Sequence, residues 1–232
     1  MESQILFEPE VVEFEAADPA DAWTRAGFSV SSGGDAAAVC WVGGVGIRLV
    51  GRDRGAAPAA TSDTGTGIVG WSLRGLPPVG SVHDLDGIPT TNASVGAAPA
   101  PTHPNGVVAI DHVVLLSPDL ERTVGALAAV GADPRRERDT HLGGRPMRQI
   151  FFRLGEVIVE VVGSPESANE GPSTLWGLTY TVADIDATAS FFGDRAAPVK
   201  DAVQPGRRIT TLRHREFGMS VPTALISAPA RR

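Results

Sequence analysis

The chain has 232 residues, 42% of them hydrophobic and 20% charged, and a formal net charge of -7. That composition describes a globular protein long enough for one large domain or two small ones. The acidic balance argues against a nucleic-acid partner, because phosphates need a concentrated basic surface. Cys40 is the single cysteine, so no intramolecular disulfide can form. It lies in an apolar strand-like run, where a buried inert thiol is expected. Met1-Glu2-Ser3-Gln4 is not a basic segment leading into an apolar one, and no apolar stretch reaches the roughly 18–20 residues of a membrane span. A cytoplasmic protein with no membrane partner is expected. Lys200 is the only lysine among many arginines, and with abundant Ala, Gly and Pro this suggests a GC-rich bacterial genome.

Val11 to Ala16 reads as a strand, Asp18-Pro19 as a helix start and Gly27 as its stop. Val39 to Gly51 then reads as strand, Gly-containing turn, strand, Gly. Arg52 to Gly67 has linker composition. Ile68 to Leu73 is a short strand, but Leu76 to Asn105 carries too many Pro and Gly for a complete repeat. The Pro/Gly-rich piece Gly96 to Gly106 marks the boundary between halves.

Val107 to Gly163 is the stretch around which the chain is organised. Ala109 to Leu116 is an apolar run containing Asp111 and His112. Ser117-Pro118-Asp119 starts a helix, with Ser117 as N-cap and Pro118 in the first position. Leu120, Val124, Leu127 and Ala128 recur at helical spacing, and Gly131 stops it. A further strand is expected within 132–140, followed by a hairpin of Arg148 to Arg153 and Val157 to Val162 about Leu154-Gly155-Glu156. Val39 to Gly51 aligns without a gap on Phe151 to Gly163. That alignment, with the count back from the helix starts, puts Glu13 where His112 sits and Arg48 where Glu160 sits.

The β-α-β-β-β order, with Ile110-Asp111-His112-Val113 in the first strand and Val159-Glu160-Val161 in the last, resembles one module of the vicinal oxygen chelate superfamily. Glyoxalase I, the bleomycin-resistance proteins, the extradiol dioxygenases and methylmalonyl-CoA epimerase belong to it. The resemblance implies an α+β fold in which repeated βαβββ modules form curved mixed sheets around a cleft. A second module would open with Leu175 to Val182, start its helix at Val182-Ala183-Asp184, run to Phe192, and close with Arg208 to Leu212 and Val221 to Ser227. Residues 107–228 then form a domain of two paired modules, and 1–100 a degenerate glyoxalase-like half.

In this superfamily a divalent ion takes two ligands from each paired module. His112 and Glu160 are the candidate metal ligands and catalytic residues, for Zn, Ni, Mn, Fe or Mg acting as a Lewis acid. Counting places Gly177 and Ala224 where the second pair would be, so the ligand set is incomplete. Glu160 is costly to bury between Val159 and Val161 unless it meets a metal or donors. It could instead pair with Arg148, Arg153 or Arg48, or share metal-free acid/base work with His112. His141 or His214 could complete a non-standard set, with a solvated loop histidine as the simpler role. His83 and His103 lie in Pro/Gly-rich segments.

Arg135, Arg136, Arg138, Arg145 and Arg148 make a basic stretch suited to a carboxylate or acyl-CoA ligand. Arg148 and Arg145 are therefore candidate substrate-binding residues, and Trp176 joins them because it neighbours the expected ligand position at Gly177 and can line a pocket. The expected function is that of a glyoxalase-like protein with an incomplete metal site that binds, or binds and converts, a small organic, anionic molecule as its partner. The alternative is a metal-dependent isomerase, lyase or dioxygenase, and a homodimer fits either.

Overall fold

The computed structural model describes residues 8–31, 37–52, 66–77, 83–93 and 101–229. Most of the expected linker after Arg52, and the first part of the piece from Gly96 to Gly106, fall outside them. The first elements are β1 (Glu10–Ala16), α1 (Ala20–Arg25), β2 (Ala38–Val42), β3 (Val45–Leu49), β4 (Ile68–Arg74), β5 (Asp84–Leu85) and β6 (Ile88–Asn92). They form a six-stranded sheet in the order β2-β3-β1-β4-β6-β5.

The rest are β7 (Val107–Leu116), α2 (Leu120–Ala129), β8 (Arg136–Leu142), β9 (Arg145–Leu154), β10 (Val157–Gly163), β11 (Thr174–Val182), α3 (Ile185–Phe192), β12 (Lys200–Asp201), β13 (Arg208–Thr211) and β14 (Thr223–Ser227). Their eight-stranded sheet runs β12-β13-β14-β11-β7-β10-β9-β8, two βαβββ units joined back to back through β7 and β11.

The two sheets share one pattern. β7 pairs parallel with β10 and antiparallel with β11; β1 pairs parallel with β3 and antiparallel with β4. Glu13 lies opposite Gly46 as His112 lies opposite Ile158, so the repeat read from the sequence holds residue for residue. The β4-β6-β5 unit has no helix among its described residues.

Local chemistry explains the helix starts, with two corrections. Asp119, not Ser117, caps α2, its side chain accepting from Arg122 N; Ser117 Oγ instead accepts from Asp119 N and bonds Thr123 Oγ1. Pro19 is the N-cap of α1. Asp18 is fully buried and accepts from Trp23 Nε1 at 3.1 Å and from Ser220 N at 2.7 Å, tying the two sheets together. Asp184 caps α3 as expected, accepting from Asp186 N and Ala187 N.

The core is one continuous cluster through both sheets, with Phe28 on Trp23 and on Tyr180 at ring separations of 4.9 and 5.3 Å. Cys40 is buried in it, and burial pushes its thiol up to about 12. Asp86, the turn residue of the β5–β6 hairpin, reaches α2 and accepts from Arg122, Thr123 and, at 2.6 Å, Ser173. No helix among the described residues is long and apolar enough to cross a membrane.

His103 is 3% exposed: Ser29 N donates to its Nδ1 at 3.0 Å, and its Nε2 donates to the Trp41 carbonyl at 3.0 Å. Burial holds its pKa below the ordinary value, although the Trp41 carbonyl favours the proton. The unfolded chain therefore takes up this proton first. The contribution of His103 is complete above about pH 6.5 and is lost as pH falls through its lower folded value. Thermal melts from about pH 7.5 down to about pH 5 should show a falling Tm, with a shallower fall in His103→Gln. An identical slope in that variant would show that His103 carries none of it.

Candidate functional site

Strand alternation builds the site. In β7 and β10, Val113, Leu115, Val159 and Val161 are at most 1% exposed, and His112, Val114, Ile158 and Glu160 turn to the opposite face. His112 lies opposite Ile158 on β10 and Thr179 on β11, while Glu160 lies opposite Val114 and, on β9, Phe151. A register shift next to Thr179 leaves Asp111 without a partner on β11. This bulge brings Asp111 to His112, whose Nδ1 lies 2.8 Å from Asp111 Oδ2.

A polar chain crosses this face. Arg207 Nη2 lies 2.6 Å from Asp111 Oδ1, and both side chains are 10% exposed. Burial disfavours the charged Asp111, but His112 and Arg207 outweigh it and hold the carboxyl below the usual carboxylate range. The ionised Asp111 fixes His112 Nδ1 as the donor. His112 Nε2 then faces Glu160 Oε2 across 3.5 Å, too far for a strong hydrogen bond, so both atoms are open to a ligand. Gln149 Nε2 donates to Glu160 Oε1, and Arg138 Nε donates to Gln149 Oε1 at 2.8 Å.

Above this floor is a cavity of about 640 Å³ lined by the apolar side chains of Phe151, Ile158 and Ile209 and by the segment 200–205. Arg135, Arg136, Arg138, Arg153 and Lys200 also line it. Ion pairs engage Arg122, Arg148, Arg207 and Arg208, but none of the five cavity cations has a carboxylate partner among the described residues. In a chain of net charge -7, the cavity lining is locally basic, with these five cations against the carboxylates of Asp111, Glu160 and Asp201.

No family model matches the chain, and no curated protein gives a significant match. Solved structures do. A substituted 4-hydroxymandelate synthase from Streptomyces coelicolor superposes with a TM-score of 0.66 at 15% identity, over 96% of this chain and 93% of the other. A catechol 2,3-dioxygenase gives 0.56 at 12% identity, over 98% and 91%. A fusion of a xylose isomerase-like TIM barrel with 4-hydroxyphenylpyruvate dioxygenase gives 0.62 at 15%, over 100% of this chain and 52% of the other. The chain has the vicinal oxygen chelate fold.

That fold implies a divalent ion, and the donor set decides whether one fits. His112 and Glu160 stand in the first unit at a separation that one ion could bridge. In the second unit the register equates Thr179 with Val114 and places Ala224 beside it, so Gly177 and Ala224 occupy the remaining two positions and offer no donor. Position 177 is also closed: a Cβ there would lie 2.7 Å from the Pro222 carbonyl oxygen. Among the described residues no three His, Cys, Asp or Glu converge to hold a metal. A catalytic metal centre keeps about three protein ligands, and these residues do not fit one.

Of the other expected residues, Trp176 is 52% exposed and lines a neighbouring cavity with Val114, Gly177 and Ala224. Arg148 does not reach Glu160. It lies on the other face of β9, its Nε 2.7 Å from Asp139 Oδ1, in a groove beside α2. Arg145 and His141 sit at the exposed end of the β8–β9 hairpin, outside the cavity lining. Arg153 lines the cavity but does not pair with Glu160, and Arg48 instead binds Glu13 with two bonds of 2.8 and 3.0 Å. His214 lines the neighbouring cavity, with Nε2 buried and without a hydrogen-bond partner. Asp111, Gln149 and Arg207 were not anticipated; the only sequence signal was the acid beside His112.

Because position 177 has no room, Gly177→Ala should destabilise the protein by about 1–3 kcal/mol. Urea unfolding would measure this, and an unchanged midpoint would show that Pro222 yields and the second ligand position is open.

Proposed function

We propose that this chain is a glyoxalase-like binding protein that takes a small anionic organic molecule into the cavity over His112 and Glu160, without a resident metal ion. The observation that carries this reading is a half-complete donor set on the floor of a cavity whose five cations have no carboxylate partners among the described residues. Arginine forks bind carboxylates through two parallel hydrogen bonds, and Phe151, Ile158 and Ile209 would cover an apolar body. In this reading residues 107–228 form the binding domain and 1–100 a worn repeat.

A metal-dependent isomerase, lyase or dioxygenase has less support, since His112 and Glu160 lack a third donor and neither His141 nor His214 lines their cavity. Conversion of the ligand would instead use proton exchange at His112 Nε2 or Glu160 Oε2. A thermal-shift screen of small carboxylic acids against their neutral amides tests the proposal. Acids should raise Tm in a concentration-dependent way through mass action, amides should not, and Arg136→Gln with Arg138→Gln should abolish the shift. Equal shifts from acids and amides, or none from either, would contradict it.

A further inference from the structure

The cavity over His112 and Glu160 does not end at them. Thr179 lies directly opposite His112 across β7 and β11, and Val114 directly opposite Glu160 across β7 and β10. Both line a second cavity of about 580 Å³. The two cavities therefore abut on one face of the eight-stranded sheet, with the polar chain from Asp111 to Gln149 at their junction.

Their ends differ in chemistry. The first holds the five cations, which have no carboxylate partner among the described residues, beside Phe151, Ile158 and Ile209. The second is lined by Val114, Trp176, Pro222 and Ala224. Its charged residues are confined to the 213–216 turn at its rim, where Arg213 Nη1 lies 3.7 Å from Glu216 Oε1. Trp176 lies in β11 where the pairing with β7 shifts register between Leu175 and Gly177, and its side chain is half exposed. Trp23 and Trp71, by contrast, are at most 1% exposed.

We infer that the ligand is a two-ended molecule: an anionic head among Arg135, Arg136, Arg138, Arg153 and Lys200, and an aryl or otherwise flat apolar tail that passes over His112 and Glu160 onto Trp176. This rests on the anion-binding reading above and extends it to a substrate class, elongated aryl-alkyl carboxylates or similar anions. The junction supplies what such a ligand meets at mid-length, where Glu160 Oε2 and His112 Nε2 accept hydrogen bonds from a hydroxyl group.

The test is isothermal titration calorimetry with ω-phenylalkanoates of increasing chain length, beginning at benzoate, and with the matching amides. Affinity should rise about threefold to fourfold for each methylene that becomes buried, until the phenyl ring reaches Trp176. The amides should bind about tenfold more weakly or worse. Trp176→Ala should remove the gain of the long members and leave benzoate unchanged, and in the native protein the long members alone should quench the exposed indole fluorescence. Carboxylate binding that is independent of length, or a length dependence untouched by Trp176→Ala, would overturn the two-ended ligand while leaving the anion site standing. Equal binding of acids and amides, or no binding by any member, would defeat the anion site and with it this inference.

Discussion

The placement of β7 governs everything at the cleft. It is hydrogen-bonded in parallel to β10 on one side and antiparallel to β11 on the other, and strand alternation does the rest. One residue of slip in either pairing would turn His112 or Glu160 into the core among Val113, Leu115, Val159 and Val161. Burial of those apolar side chains therefore fixes the register that holds a histidine beside a carboxylate on an open face. Arg207, from the loop before β13, adds to this by neutralising Asp111. Breaking such a buried pair from one side costs about 3–5 kcal/mol, so Asp111 is a firm support for the imidazole.

The first sheet shows the same scaffold with the opposite outcome. Glu13 and Arg48 occupy the places of His112 and Glu160, and they satisfy each other through two hydrogen bonds. A bidentate ion pair leaves few lone pairs for a ligand. In the second sheet, His112 Nε2 and Glu160 Oε2 remain 3.5 Å apart, and their other atoms are held by Asp111 and Gln149. One copy of the repeat has a closed floor, while the other leaves His112 Nε2 and Glu160 Oε2 facing an opening.

Much of this was legible in the chain. Hydrophobic runs and glycine stops gave the element order; the gapless alignment of the two hairpins placed Arg48, and counting along the modules placed Glu13, Gly177 and Ala224, where the registers put them. The misplacement of Arg148 is instructive. The tight turn at Gly155-Glu156 pairs Leu154 with Val157, so odd-numbered residues of β9 share the face of Glu160. That parity selects Gln149 and excludes Arg148, and it was available from the turn alone. The α2 cap was ambiguous because Ser117 and Asp119 can each cap a helix. The role of Asp111 was hidden for a different reason: a bulge depends on how two distant strands meet and leaves no local mark. Arg207 and segment 200–205 likewise come to the site only through the pairing of the two units.

The proposed function puts an organic anion, in place of a metal ion, over the half donor set of His112 and Glu160. Elemental analysis of protein purified without a metal-chelating tag, beside a His112→Ala control, tests this most directly. Divalent metal far below one ion per chain, unchanged in the control, is the result predicted. Near-stoichiometric metal that disappears in His112→Ala would contradict it and would require a third ligand from beyond the residues gathered around Glu160.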